Sequence, residues 1–238
     1  MAVKTIQSVS NALVVLEQLA ALQPIGVSAL ARTVQLDKNG VQRILITFAR
    51  AGWARQVEDG EWTITSRVLQ VSSHYTSNLR EVTHPLLVEL QRTTDETVLL
   101  FVREAGSMVV LDAIDSAQAL RMTVPVGMAV PLVQGAAFDA FLPEHERALL
   151  PLAARALAPS AVRNVRRNGF FVIEELYPNA IAAGAPIFAN GEPIAAITIV
   201  GPKVRINATA ARRFGELAAA AATTITASTI TASRTVRS

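Results

Sequence analysis

Four polar side chains, Lys38, Asn39, Gln42 and Arg43, recur at spacings that put them on the outer side of one helix. A helix fits the major groove of duplex DNA, where Asn and Gln bond adenine in two places and Arg does the same with guanine. Each good pair contributes about 1–3 kcal/mol of discrimination. On an isolated amphipathic helix the same quartet would be a plain solvated face, so its meaning depends on the frame that carries it. Two further residues join this group. Arg55, at the base of an expected hairpin, is a candidate phosphate contact, and Ser28, expected to cap a short helix, is placed on the same DNA-facing side. Glu58, Asp59 and Glu61 make the hairpin acidic, which argues against its deep insertion into a groove.

Other chemistries find no nucleus. His74, His84 and His145 lie apart, with no HExxH, no GxSxG and no pair at metal-ligand spacing. Glu174 and Glu175 are adjacent and would point to opposite sides of an extended chain, a poor geometry for paired-carboxylate catalysis. Gly184, Gly191 and Gly201 are too dispersed for a phosphate-cradling loop. The absence of cysteine excludes disulfides, zinc-thiolate sites, iron–sulfur clusters and a thiol nucleophile, and fits a reducing, cytoplasmic setting. No metal and no cofactor are implied, and the chain is read as a non-enzyme.

Composition narrows the class further. The 238 residues are 51% hydrophobic and carry 22 basic and 19 acidic groups, which excludes collagenous and disordered chains and suits two small domains. The net charge of +3 is spread over both halves, so a nucleic-acid reading must rest on local arrangement. Residues 1–10 lack the apolar core of a signal peptide, and Leu217 to Ala232 is too rich in Thr and Ser to span a bilayer, so no membrane segment is expected.

The elements that must position the quartet follow from periodicity. Ala12, Leu13, Leu16, Leu19 and Ala20 predict a helix over 10–22, ended by Pro24 and Gly26. A short helix over 29–34 follows, then a three-residue connection, Gln35-Leu36-Asp37, and a helix capped by Asp37 that buries Val41, Ile44, Leu45 and Phe48. Residues 53–57 and 61–65 form a hairpin about Asp59-Gly60, with Trp62 in the core. This order and this turn length predict a winged helix-turn-helix over 1–66. Residues 67–92 read as a helical connector that ends or kinks at His84-Pro85. Residues 93–238 read as a sheet domain: strands at 97–104, 108–114 and 120–124, helices at 135–142, 144–150 and 160–168, strands at 169–173, 180–188 and 193–200, and a last helix from Ala208. The fold class is α+β.

On these residues the chain resembles the IclR-type bacterial transcriptional regulators over nearly its whole length. The resemblance is carried in order by Ser8-Val9 through Leu16, the block from Val41 to Gly52, Leu120-Arg121 followed by Gly127, Pro131-Leu132, Gly169-Phe170 followed by Glu174-Glu175, and Ala185-Pro186-Ile187-Phe188 leading to Ala195 through Pro202. It implies an N-terminal winged helix on a double-stranded DNA operator, a linking helix that helps dimerise, and a C-terminal GAF-like domain, a mixed antiparallel sheet with flanking helices. That domain would bind a small metabolite, often a carboxylic or aromatic acid, in a self-associated dimer or tetramer.

Asn39, Gln42 and Arg43 match the family's recognition positions, whereas Asn11 stands where the family usually has Arg. Val133 and Phe138-Asp139 replace the family's His and Gly-Lys, and Val172, Ala182 and Val200 replace polar pocket anchors, leaving Thr198 as a hydroxyl. The resemblance thus assigns Gly135, Ala136, Ala180, Ala182, Thr198 and Val200 to an apolar effector pocket. An unpaired carboxylate loses several kcal/mol on desolvation, so a larger, more apolar effector than a small oxo acid is expected. The competing class is a metabolite sensor acting through a protein partner.

Overall fold

The computed structural model describes residues 4–73, 78–104, 107–131, 136–148, 159–174 and 178–235, with side chains omitted at 131, 136–137, 159–160 and 227–235. The chain divides into two compact units, Met1–Thr76 and Ser77–Ser238. The division falls inside the stretch expected as a connector over 67–92. No helix among the described residues is long and apolar enough to cross a membrane.

The first unit is built from α1 (Gln7–Leu22), α2 (Val27–Val34), α3 (Lys38–Arg50), β1 (Ala54–Gln56), β2 (Trp62–Ile64) and α4 (Arg67–Ser72). Its core joins Val15 and Leu19 of α1, Leu30 and Ala31 of α2, Val41 and Leu45 of α3, Ala54 and Trp62. The stripe expected on α1 is corrected: Leu13 is 55% exposed and Ala20 also faces solvent, while Val15 and Leu19 are fully buried. Apolar residues run almost continuously from Ala12 to Leu16, so periodicity allows several stripes and packing against α2 and α3 selects one. Ser28 does not cap α2. Gly26 occupies that position without a side-chain cap bond, and Ser28 lies exposed inside the first turn.

The connection between α2 and α3 is set by two local devices. Gln35 adopts a left-handed conformation (φ 55°), and its amide and that of Leu36 return to carbonyls of α2. Asp37 then caps α3, its Oδ1 accepting from the Gly40 amide at 2.7 Å. A Cβ at Gly40 would lie 2.5 Å from the Asp37 Oδ2, so a larger residue there would require the capping carboxylate to turn. β1 and β2 pair antiparallel, Arg55 opposite Thr63, about a turn in which Asp59 (φ 64°) and Gly60 (φ 77°) take positive φ.

The second unit begins with α5 (Asn78–Thr94), which runs through Pro85 where an end or kink was expected. Leu87 and Leu90 anchor it in the core beyond the proline. Glu81, whose carbonyl loses its donor, is exposed to water. The six-stranded sheet has the order β5-β4-β3-β8-β7-β6, each neighbour antiparallel: β3 Thr97–Glu104, β4 Ser107–Ile114, β5 Ala129–Pro131, β6 Phe171–Ile173, β7 Ala180–Ala189 and β8 Glu192–Pro202. The strand expected over 120–124 is absent. That segment is held from the side, the Thr97 hydroxyl donating to the Met122 carbonyl at 2.6 Å, and β5 takes the edge beside β4.

One sheet face, with Val98, Leu100, Ile197 and Ile199, packs with α5 and with α9 (Ala208–Thr235). The other, with Leu99, Phe101, Ala182, Ala196 and Val200, packs with Phe138, Leu142 and Val165, contributed by α6 (Ala136–Asp139), the turn after it and α8 (Pro159–Asn168). α7 spans only Glu144–Arg147, with residues 149–150 of the expected helix outside the described set. Glu96, which is buried, and Arg205, which is exposed, form a bidentate ion pair at 2.7–2.8 Å across 109 positions of the chain.

Both tryptophans, Trp53 and Trp62, lie in the first unit, so intrinsic fluorescence reports on it. Leu45→Ala is expected to lower its unfolding free energy in a urea titration by roughly 2–5 kcal/mol. A loss below about 1 kcal/mol would refute the packing of α3 described here.

Candidate nucleic-acid interface

α3 presents its two sides differently for a simple reason: Val41 and Leu45 are fully buried, so the positions opposite them face outward. Lys38, Asn39, Gln42 and Arg43 are all exposed, as the sequence predicts for a reading face. Ser28 of α2 and Arg55 of β1 are exposed as well. Ser28 lines a shallow hollow with Arg32, Gln35 and Lys38, which brings α2, the turn and the head of α3 to one surface. Among the described residues Lys38, Arg43 and Arg55 enter no ion pair, so their charge is available to an outside partner. Beside Arg55 stands Glu58, and Asp59 is exposed at the hairpin tip, so the wing is acidic as expected.

Sequence reasoning missed three members of this surface. Arg32 joins it because α2 ends against the turn, and Ile46 and Arg50 continue the exposed side of α3 one and two turns beyond Gln42. The i, i+4 spacing of Gln42, Ile46 and Arg50 was the available signal. Asn11 lines a hollow with Arg43, Thr47 and Gly40 and accepts from Gln7 at 2.8 Å, so the position that departs from the family pattern borders the reading helix.

In the second unit Ala180, Ala182, Thr198 and Val200 are all buried. Ala182 pairs with Val200 and Gly184 with Thr198, and alternate residues share a face, so the four lie on the sheet side that carries Leu99 and Phe101. Ala136 opens α6, and Gly135 lies outside the described residues. The expectation of a purely apolar face needs amending. Asp139 is 1% exposed, and among the described residues neither of its carboxylate oxygens has a hydrogen-bond partner. Burial pushes its pKa up to about 7 against the opposing pull of the Arg103 and Arg147 guanidinium groups. Arg103 bonds Glu146 at 2.7 Å.

The remaining ionisable groups serve the fold. The His84 ring nitrogen Nδ1 meets the buried Asp112 carboxylate at 2.6 Å, tying α5 to β4. His145 and Glu174 are exposed, and His74 and Glu175 lie outside the described residues. Among the described residues no three His, Asp or Glu side chains are placed to hold a metal ion.

Comparison with known proteins agrees with this geometry. Residues 8–58 match the family model described as the IclR helix-turn-helix domain, and residues 71–227 match that described as bacterial transcriptional regulator IclR C-terminal. The transcriptional repressor IclR of Escherichia coli K12 is 28% identical, over 93% of this chain and 89% of its own. The structure is similar to that of Pseudomonas aeruginosa HmgR, with a TM-score of 0.70 and 26% identity over 93% of this chain and 98% of that one. It also shares its fold with an IclR homologue from Microbacterium hydrocarbonoxydans solved in complex with 4-hydroxybenzoate, with a TM-score of 0.72 and 20% identity over 93% and 99% of the two chains.

Asp139 provides a pH test of the second unit. Its pKa is raised from 3.8 to about 7, so the folded state holds the proton more tightly than the unfolded chain. That contribution is complete below about pH 4 and is lost as pH rises through about 7. Melting temperatures measured from pH 4 to 8 should therefore fall more steeply with pH in the wild type than in Asp139→Asn. Parallel profiles would refute the assigned environment.

Proposed function

Because the chain belongs to the IclR family of bacterial transcriptional regulators, we propose that its helix-turn-helix sets α3 in the major groove of a double-stranded operator. Lys38, Asn39, Gln42 and Arg43 read base edges and adjacent phosphates there, while Ser28 and Arg55 hold the backbone. The observation that carries this reading is the exposure of all four residues in the first two turns of α3, while Val41 and Leu45 are buried, with Lys38 and Arg43 free of ion pairs among the described residues. The second unit, read as a GAF-like effector domain, takes a small organic acid or a more apolar metabolite against Ala136, Ala180, Ala182, Thr198 and Val200, with Gly135 assigned to the same wall. The 4-hydroxybenzoate bound by a protein of the same fold supports a ligand of that size.

The protein acts in the cytoplasm as a homodimer or tetramer. Ile6, Val9 and Leu13, exposed at 52–66% along one side of α1, supply apolar surface for self-association. The effector changes the spacing of paired winged helices by binding one arrangement better than the other. The acidic wing favours a second reading, a sensor acting through a protein partner, which a ligand-dependent complex without a DNA footprint would support.

Gln42→Ala and Arg43→Ala should each weaken binding to the native upstream region by about 1–3 kcal/mol in gel-shift titrations, with unchanged circular dichroism. Wild-type affinity in both variants would overturn the assignment of α3. Thr198→Val should alter the effector response while leaving effector-free DNA affinity unchanged, and identical effector shifts in variant and wild type would remove Thr198 from the site.

A further inference from the structure

Among the described residues the second unit buries three acids, and two of them are fully served. Glu96 receives two bonds from Arg205, and Asp112 faces His84, Arg80 and the Ala113 amide. Asp139 is as deeply buried, yet both its oxygens are left without a donor. The nearest cations do not supply one. Arg103 is committed to Glu146 at 2.7 Å, and the buried Nε of Arg147 is itself unbonded. Phe138 and Leu142, which flank Asp139 along the chain, belong to the apolar cluster on the sheet face that also carries Ala182 and Val200.

An ionised carboxylate is acceptor-only, and one held unbonded in such surroundings is strongly penalised unless a donor arrives. Resting on the reading of this face as the effector site, we propose that Asp139 is its polar anchor and that the ligand is a small apolar molecule bearing a hydroxyl or amine donor. A ligand carboxylate set against Asp139 would oppose acceptor to acceptor, so this chemistry selects donors over acids once Asp139 is ionised. The groups facing Asp139, Arg103 of β3 with Arg147 and Glu146 of α7, include one internally neutralised pair, which limits the positive field that would otherwise draw an anion.

The test uses the full-length protein at pH 8 and three probes of matched size: benzylamine, 4-methylphenol and benzoate, titrated by calorimetry. The two donors should bind the wild type about tenfold or more tightly than benzoate. Asp139→Leu should abolish that preference and melt above the wild type without ligand, since an apolar side chain replaces an unpaired carboxylate. Asp139→Asn, which keeps one acceptor oxygen, should retain part of the phenol affinity and lose the amine affinity. Absence of donor binding, benzoate binding as tightly as the donors, or an unchanged preference in both variants would each overturn the proposal. Operator affinity measured on the same samples separates the two readings. Donors that bind through Asp139 without altering DNA affinity would leave the anchor intact and refute the effector role, whereas an acid that shifts DNA affinity equally in wild type and Asp139→Leu would do the reverse.

Discussion

Burial of Val41 and Leu45 against Val15, Leu19 and Leu30 decides which side of α3 is available to anything outside the unit. A helix that hides one stripe must show the opposite one, and here the shown side carries two amides, a lysine and an arginine in its first two turns. The Asp37 cap fixes where the helix starts, and the left-handed Gln35 fixes the angle at which the chain enters it. Rotating α3 by one residue would bury Gln42 and expose Leu45, so the packing of an ordinary apolar core decides which polar side chains of α3 face outward. IclR-family membership gives that surface its meaning.

The sheet of the second unit obeys a related rule. Alternation along β7 and β8 sends Ile181, Ala183, Ile197 and Ile199 toward α5 and α9, and sends Ala182, Thr198 and Val200 the other way. The first face is filled by bulky branched residues. The second sets Ala182 and Ala196 beside larger residues such as Leu99 and Phe101, and Gly184 is close enough to the Ile197 carbonyl that a Cβ there would lie at 2.4 Å. Asp139 lies between Phe138 and Leu142 of that cluster along the chain, with the Arg103 and Arg147 guanidinium groups near it but not bonded to it among the described residues.

Legibility in the sequence followed the locality of the signal. Asp37 and Gly52 mark the ends of α3, and Asp59-Gly60 marks the β1–β2 hairpin, because caps and positive-φ turns are decided by a few adjacent residues. The exposure of Lys38, Asn39, Gln42 and Arg43 was legible for the same reason, since the amphipathic pattern of α3 is internal to one helix. The stripe on α1 was not, because residues 12–16 are apolar on several sides and only α2 and α3 choose among them. Pro85 misled because tertiary anchoring by Leu87 and Leu90 outweighs one missing backbone donor. β5 was hidden because a three-residue edge strand is defined by its partner, not by its own composition. Asp139 was visible only as a departure from the family pattern, and its lack of a donor among the described residues is a property of the packed molecule.

The pair formed by Glu96 and Arg205 joins the entrance of β3 to the turn that leads from β8 into α9. It is backed by Gly201, where any side chain would collide with the Glu96 carboxylate, a Cβ lying 2.4 Å away. A message truncated upstream of codon 205 would leave Glu96 enclosed and without its counter-ion at the entrance of β3. The carboxyl-terminal segment is thus no dispensable tail: nonsense changes or proteolytic clipping there should yield material that cells clear, not a shortened regulator.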